Sequence, residues 1–236
     1  MESESITRTI QTGVHGRYLV RVPQAPGPWP ALFSFHGYGE DAATNMTALQ
    51  RIPDVSGWLL VAVQALHPFY TKSERVVASW MTRQDRELAI VDNLAYVTAV
   101  VEAVQREFEV MTSAIAFAGF SQGGAMAYRA AAYRAAADRA AADRGAGGVI
   151  VLAADVPPDV STPGSLPSVL IGRGRADAWY TEEKMAADLD RLAHVAASVE
   201  TCVFDGGHEW TDGFASAAGA FLNRIHPPTA LADARR

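Results

Sequence analysis

A serine hydroxyl is a poor nucleophile until a neighbouring base takes its proton and a third group fixes that base. The stretch Gly119-Phe120-Ser121-Gln122-Gly123-Gly124 puts a serine where such activation can be built. It fits the pattern G-x-S-x-G, follows the apolar run 114–120 (AIAFAGF) and precedes a stretch with helical character from Gly123. On a sharp strand-to-helix turn, side chains at the flanking glycine positions would collide with adjacent backbone. The serine hydroxyl, by contrast, stands clear above the helix N-terminus.

In this topology the acid and the histidine follow the serine, in that order. Three histidines lie beyond Ser121: His194, His208 and His226. His194 falls mid-helix, and His226 stands beside Pro227-Pro228. His208 belongs to Gly206-Gly207-His208-Glu209-Trp210, a loop directly after the last expected strand, and so reaches the same sheet edge as Ser121. Asp177 closes Gly172-Arg173-Gly174-Arg175-Ala176-Asp177, after one strand and before a helix, and is the expected acid. Asp155, after the strand that follows the nucleophile helix, is the alternative acid. Asp205 ends the strand leading to His208 and is too close in the chain to turn back onto its ring. A tetrahedral intermediate also needs preorganised N–H donors. The expected donors are the backbone amides of Gln122, at a helix N-terminus, and of Tyr38 in Phe35-His36-Gly37-Tyr38-Gly39. His36 is expected to brace that loop.

These groups need a scaffold with many strand ends on one edge. The continuous apolar runs 31–35 and 59–63 suit strands buried on both faces, and 114–120, 148–153, 168–171 and 199–204 are expected to be further strands. Residues 6–12 and 17–22 alternate, and the glycine-bounded turn 13–16 predicts a β-hairpin between them. Ile90, Leu94, Val97, Val101, Val104 and Phe108 form one helical stripe. Further helices are expected over 123–144, over 181–197 with Thr181 as N-cap, and over 212–225. The expected fold class is therefore α/β: an eight-stranded, mostly parallel sheet with helices on both faces. No linker divides the chain, so 1–236 is expected to be one domain, with 228–236 a frayed tail.

With 236 residues, 49% of them hydrophobic, such a domain buries roughly 70–75% of its unfolded surface without staples. Its single cysteine, Cys202, excludes a disulfide framework and a cysteine-based zinc cluster. A net charge of −6 argues against nucleic acid as a partner. No apolar run reaches the ~18 residues of a membrane span, and the polar N-terminus lacks the features of a signal peptide. A soluble, cytoplasmic protein without a metal is expected. Residues 128–144 repeat with period five (YRAAA YRAAA DRAAA DR), which scatters successive arginines around a helix. Arg134/Asp138 and Arg139/Asp143 make i,i+4 pairs. The segment is expected to be a helix kept by alanine propensity with no chemical role, an interaction surface being the alternative.

Taken together, His36-Gly37-Tyr38-Gly39, the GFSQGG string at 119–124, the stretch 172–177 and Gly207-His208-Glu209 resemble the phospholipase/carboxylesterase family of α/β-hydrolases, akin to dienelactone hydrolases and acyl-protein thioesterases. The resemblance spans residues 30–222. It implies hydrolysis of a small-molecule carboxylic ester or thioester with no cofactor. It implies Ser121, Asp177 and His208 as catalytic triad, and Tyr38 and Gln122 as oxyanion donors. Trp179 stands where the thioesterases are expected to have a small aliphatic residue, and Trp210 closely follows the histidine. Either these rings narrow the acyl pocket and favour short acyl groups, or each packs under its own loop. Substrate-binding walls are expected from His67, Phe69, Tyr70 and Trp80 in the loop 64–83, and from Asp155 onward to residue 166. No residues remain for a helical lid, which predicts an open site covered by loops. A peptidase or acyltransferase on the same triad, or a catalytically silent binding protein, are the rival functions.

Overall fold

The computed structural model describes residues 5–140 and 147–227. The longest apolar runs form the centre of a seven-stranded sheet. β1 is Arg17–Arg21, β2 Trp29–Phe35 and β3 Leu59–Gln64. A separate two-stranded ribbon consists of β4 (His67–Tyr70) and β5 (Val76–Ser79), and the main sheet continues with β6 (Val110–Phe120), β7 (Gly148–Leu152), β8 (Leu166–Gly174) and β9 (Ala196–Phe204). The order across the sheet is β1-β3-β2-β6-β7-β8-β9. Only β1 runs antiparallel, pairing Arg17 with Gln64 and Arg21 with Leu60. All other pairings within this sheet are parallel, whereas β4 and β5 pair antiparallel in their ribbon.

The sheet has seven strands, and the expected hairpin over 6–12 and 17–22 does not form. Residues 5–16 adopt no regular structure. Ile6 and Ile10 are 69% and 91% exposed, so pairing them would bury no apolar face. β1 instead joins β3, a strand of buried Leu and Val that offers a hydrophobic edge. Gly16 enters β1 tight against the Tyr96 ring, and the Tyr96 hydroxyl donates to the Arg17 carbonyl at 2.7 Å.

The helices are α1 (Ala42–Gln50), α2 (Arg86–Glu107), α3 (Gln122–Ala140), α4 (Glu182–Val195) and α5 (Asp212–Ile225). α1 and the β4–β5 ribbon have no counterpart in the sequence expectations. α1 is announced only by its N-cap, Asp41, whose carboxylate accepts from the Thr44 amide at 2.7 Å. Thr181 and Thr211 cap α4 and α5 in the same way. In α2 the buried stripe is Val97, Val100, Val101 and Val104, and the fully buried Asn93 ties the helix to Trp80 by donating to its carbonyl at 2.8 Å. Among the described residues no helix is long and apolar enough to cross a membrane.

From β2 the chain steps one way to β3. It then reverses through α2 to β6 and keeps that direction to β9. Because parallel crossovers are right-handed, the reversal places α1 on one face and α2, α3 and α4 on the other. α5 joins the α1 face, where Gly219 lies against Pro53. The connections leaving β2 and β6 therefore diverge to opposite faces. A crevice opens above their adjacent C-terminal ends, the position at which open α/β sheets bind ligands. Beneath it lie Phe33, Phe35 and Phe117, with ring centroids 5.9–6.3 Å apart.

Candidate active site

Ser121 sits between β6 and α3 with φ +51°, a left-handed conformation that costs a non-glycine residue about 1–3 kcal/mol. Its surroundings hold it there. The Ser121 amide donates to the Leu152 carbonyl, and the Gly124 amide donates to the Ser121 carbonyl, each at 2.9 Å. The turn closes only because its neighbours lack side chains. A Cβ on Gly119 would overlap the Gly123 carbonyl, and one on Gly124 would overlap the Ala154 side chain.

His208 Nε2 lies 2.8 Å from Ser121 Oγ, and His208 Nδ1 lies 2.8 Å from Asp177 Oδ2. Asp177 is buried, and its other oxygen accepts the Trp179 and Tyr180 amides at 2.8 and 2.9 Å. Burial pushes this carboxyl up. The Tyr180 amide, His208 and the Trp179 amide outweigh burial and hold it below the usual carboxylate range. An ionised carboxylate only accepts, so His208 donates from Nδ1 and presents Nε2 as the acceptor for the Ser121 hydroxyl. Strand β8 and the loop after β9 are laced together to make this register. Arg175 donates its amide to the Phe204 carbonyl at 2.8 Å, and Ala176 to the Gly206 carbonyl at 2.9 Å. Gly174 lets the 206–207 backbone lie directly on β8. Phe120 supports the imidazole ring from 4.9 Å.

The turn after β2 reaches the same place. Gly123 packs against the carbonyls of Phe35 and His36, so the first turn of α3 touches the end of β2. Gly39 donates to the Ala78 carbonyl at 3.1 Å, and Ala78 donates to the Glu40 carbonyl at 2.8 Å. The Glu40 carboxylate accepts the Gly37 amide at 2.7 Å. Burial raises the pKa of Glu40, with the Gly37 amide opposing that rise. Among the described residues neither the Tyr38 nor the Gln122 backbone amide donates to a protein acceptor, so both are free to serve a ligand.

His36 is fully buried. Its Nε2 accepts the Ala65 amide at 3.1 Å, which leaves Nδ1 as the donor to the Gly37 carbonyl at 2.7 Å. Burial lowers its pKa, in keeping with a neutral ring that braces the turn. The Gln122 side chain has a role that the sequence did not suggest. Its oxygen accepts the Trp80 amide and its nitrogen donates to the Met81 carbonyl, both at 2.8 Å, pinning the segment 80–81 beside Ser121.

A cavity of about 470 Å³ opens beside Ser121 and His208. Of the expected contacts, Asp155 and Trp179 line it, and Trp179 is 77% exposed. Trp210 faces a second cavity, about 410 Å³, on the other side of His208, where it packs edge-on to Phe214 at 5.0 Å. His67 and Trp80 line neither cavity. His67 pairs opposite Ser79 in the ribbon and is exposed. Trp80 is fully buried and donates its indole N–H to the His36 carbonyl at 2.9 Å, so it is a support of the β2 turn. Phe69 stacks on Tyr38 at 5.4 Å, while Tyr70 projects outward. Arg86, Arg129, Tyr180 and Lys184 also line the first cavity, and none of them was expected there.

Arg129 corrects the reading of the alanine repeat. It is buried, grips Asp159 through Nε and Nη2 at 2.8 and 2.7 Å, and forms part of the cavity wall. The signal was present: Gln122, Ala125 and Arg129 recur on one helical face, and all three line the cavity. Arg134 points elsewhere and donates to the Thr112 carbonyl at 3.0 Å. In the expected pairs Arg134/Asp138 and Arg139/Asp143, the side chains of Asp138 and Arg139 and the whole of Asp143 lie outside what the structure describes. Among the described residues no cluster of His, Cys, Asp or Glu could hold a metal ion.

No protein-family profile and no curated protein matches the sequence. Solved structures do match. A carboxylesterase from Bacillus cereus superposes with a TM-score of 0.69 at 14% identity, over 89% of this chain and 94% of that one. A phospholipase/carboxylesterase from Dyadobacter fermentans DSM 18053 gives 0.63 at 22% identity, over 90% and 98%. Acyl-protein thioesterase 2 of Zea mays gives 0.65 at 17% identity, over 88% and 100%. With its reversing parallel sheet and its serine on the turn after β6, this chain has the α/β-hydrolase fold that those esterases and that thioesterase share.

Proposed function

We propose that the protein is a serine hydrolase of the carboxylesterase type, working through an acyl-enzyme. The observation that carries this reading is the unbroken hydrogen-bond chain from Ser121 Oγ through His208 to the buried Asp177. His208 Nε2 takes the hydroxyl proton as Oγ bonds to the acyl carbon. The carbonyl oxygen gains the electron pair and rests on the Tyr38 and Gln122 amides. Collapse of the intermediate expels the alcohol, or a thiol, which leaves with the proton from His208. Water then attacks the acyl-enzyme by the same route and frees the acid and Ser121. Asp177 keeps His208 in the tautomer that accepts from serine and stabilises the imidazolium. Trp179 at the rim of a cavity of this size favours short acyl groups.

The test is a series of para-nitrophenyl esters of increasing chain length, run beside peptide anilides. Hydrolysis strongest at short chains is expected, with anilides turned over poorly. Turnover of anilides alone would make the protein a peptidase, and acyl transfer to an added alcohol in preference to water would make it an acyltransferase. Asp177→Asn supplies a sharper prediction. The amide can donate to Nδ1 and so favours the wrong tautomer, and kcat is expected to fall about 10⁴-fold with KM little changed. Steady-state kinetics on a short ester checks this, and a loss under tenfold would remove Asp177 from the mechanism.

A further inference from the structure

The chain carries a net charge of −6, yet the wall of the cavity beside Ser121 is rich in cations. Arg83, Arg86, Arg129 and Lys184 all line it, against one carboxylate, Asp155. Lys184 meets that carboxylate at 3.4 Å. Arg129 is 3% exposed and is paired by Asp159, which stands outside the wall and is half exposed. Its remaining nitrogen, Nη1, is buried and has no hydrogen-bond partner. Arg83 and Arg86 are exposed at the rim, and neither forms an ion pair among the described residues. Asp85 and Glu87 flank Arg86 in the chain but do not line the cavity. Arg86 nevertheless stands near the buried pair. The Asp159 carboxyl is held below its usual range first by the hydrogen bonds from Arg129, and the charge of Arg86 adds to that.

Even with both Asp155 and Asp159 counted, four positive groups face two negative ones. The bidentate Arg129–Asp159 pair could by itself be a strut joining α3 to the loop after β7. A strut does not account for two further unpaired guanidinium groups on the same cavity, nor for a buried N–H without an acceptor. A concave site of one sign focuses field lines and draws in ligands of the opposite charge.

We propose that the substrate is an anionic ester, one that carries a carboxylate which the wall formed by Arg83, Arg86, Arg129 and Lys184 holds while Ser121 attacks the ester carbonyl. This inference rests on the serine-esterase reading above. The carboxylate can belong to the acyl half or to the alcohol half of the ester; the recognising chemistry is the same.

The test compares kcat/KM for matched esters at low salt. Para-nitrophenyl hydrogen glutarate against para-nitrophenyl pentanoate puts the charge on the acyl half. Meta-carboxyphenyl pentanoate against phenyl pentanoate puts it on the leaving group. A preference on the order of tenfold for the charged member of at least one pair is expected, shrinking severalfold as salt rises. In Arg83→Gln/Arg86→Gln, whose altered side chains are exposed and leave the core intact, the charged-to-neutral ratio is expected to fall about tenfold. The exposed His194→Gln serves as the control that keeps it. The pair that gains identifies the half bearing the carboxylate. Charged-to-neutral ratios near one for both pairs in the unaltered protein, or ratios that ignore both salt and the double substitution, would overturn the anionic substrate and leave the esterase standing. If no ester of either kind is hydrolysed, the esterase reading fails and takes this inference with it.

Discussion

Ser121→Ala is expected to lower kcat on a short neutral ester by about 10⁴- to 10⁶-fold without unfolding the protein. The serine supplies the atom that becomes bonded to the acyl group, so no neighbour can replace it. Structurally the change is small. The substitution removes one hydrogen bond to His208, about 1 kcal/mol, and the left-handed backbone remains bound through the Leu152 carbonyl and the Gly124 amide. Circular dichroism and a melting curve close to those of the parent protein should accompany the loss of turnover. If the alanine variant keeps activity within tenfold of the parent, attack by Ser121 is wrong.

Gly123→Ala is expected to damage both stability and catalysis, although residue 123 presents no side chain to a substrate. A Cβ at this position would overlap the carbonyl oxygens of Phe35 and His36, backbone atoms that cannot rotate aside. Either the first turn of α3 or the end of β2 must shift. The overpacking is expected to cost about 1–3 kcal/mol, read as a lower midpoint in urea. The same shift separates the Gln122 amide on α3 from the Tyr38 amide after β2, which are proposed to share one oxyanion. A displacement of about 1 Å there is expected to lower kcat about 10²-fold, with KM changed less. A variant as active and as stable as the parent would show that the close approach of β2 to α3 does not set the site.

Much of this arrangement was legible before any coordinates, and for identifiable reasons. Strands buried on both faces leave continuous apolar runs, as in β2, β3, β6 and β7; β8 and the largely uncovered edge strand β9 are also legible within a few residues of their ends. The glycines around Ser121 and His208 mark close approach: backbone meets backbone at 119, 123 and 174, and Gly124 makes room for the Ala154 side chain. Local alternation was the weaker guide. Residues 6–12 alternate without a partner to bury them, and the hairpin expected there gives way to β1 pairing with β3. α1 was missed because AATNMTALQ has few strongly apolar residues. Its cohesion comes from the Asp41 cap and from contacts, such as Leu49 in the core, that depend on the rest of the fold.

The site divides in the same way. Ser121, Asp177 and His208 stand at strand ends that sequence order places on one edge, and the structure brings their side chains within hydrogen-bond distance of one another. The wall was harder to read, because side chains from α2, α3 and α4 meet there and no local pattern joins them. Trp80 resembled a contact by its place in a loop near the site, but its indole is turned inward to the His36 carbonyl. Arg129 looked like one unit of a repeat, but the first unit is buried from Tyr128 to Ala131, and Asp159 pairs the arginine there.

Incubation of the folded protein with a fluorophosphonate, followed by mass spectrometry of its peptides, tests the central claim most directly. An activated serine attacks the phosphorus and expels fluoride, so the prediction is one phosphonyl group per chain on Ser121. That labelling should be abolished in His208→Ala and slowed by a competing short ester. A folded protein that stays unlabelled, or that is labelled at another residue with Ser121 untouched, would contradict the account.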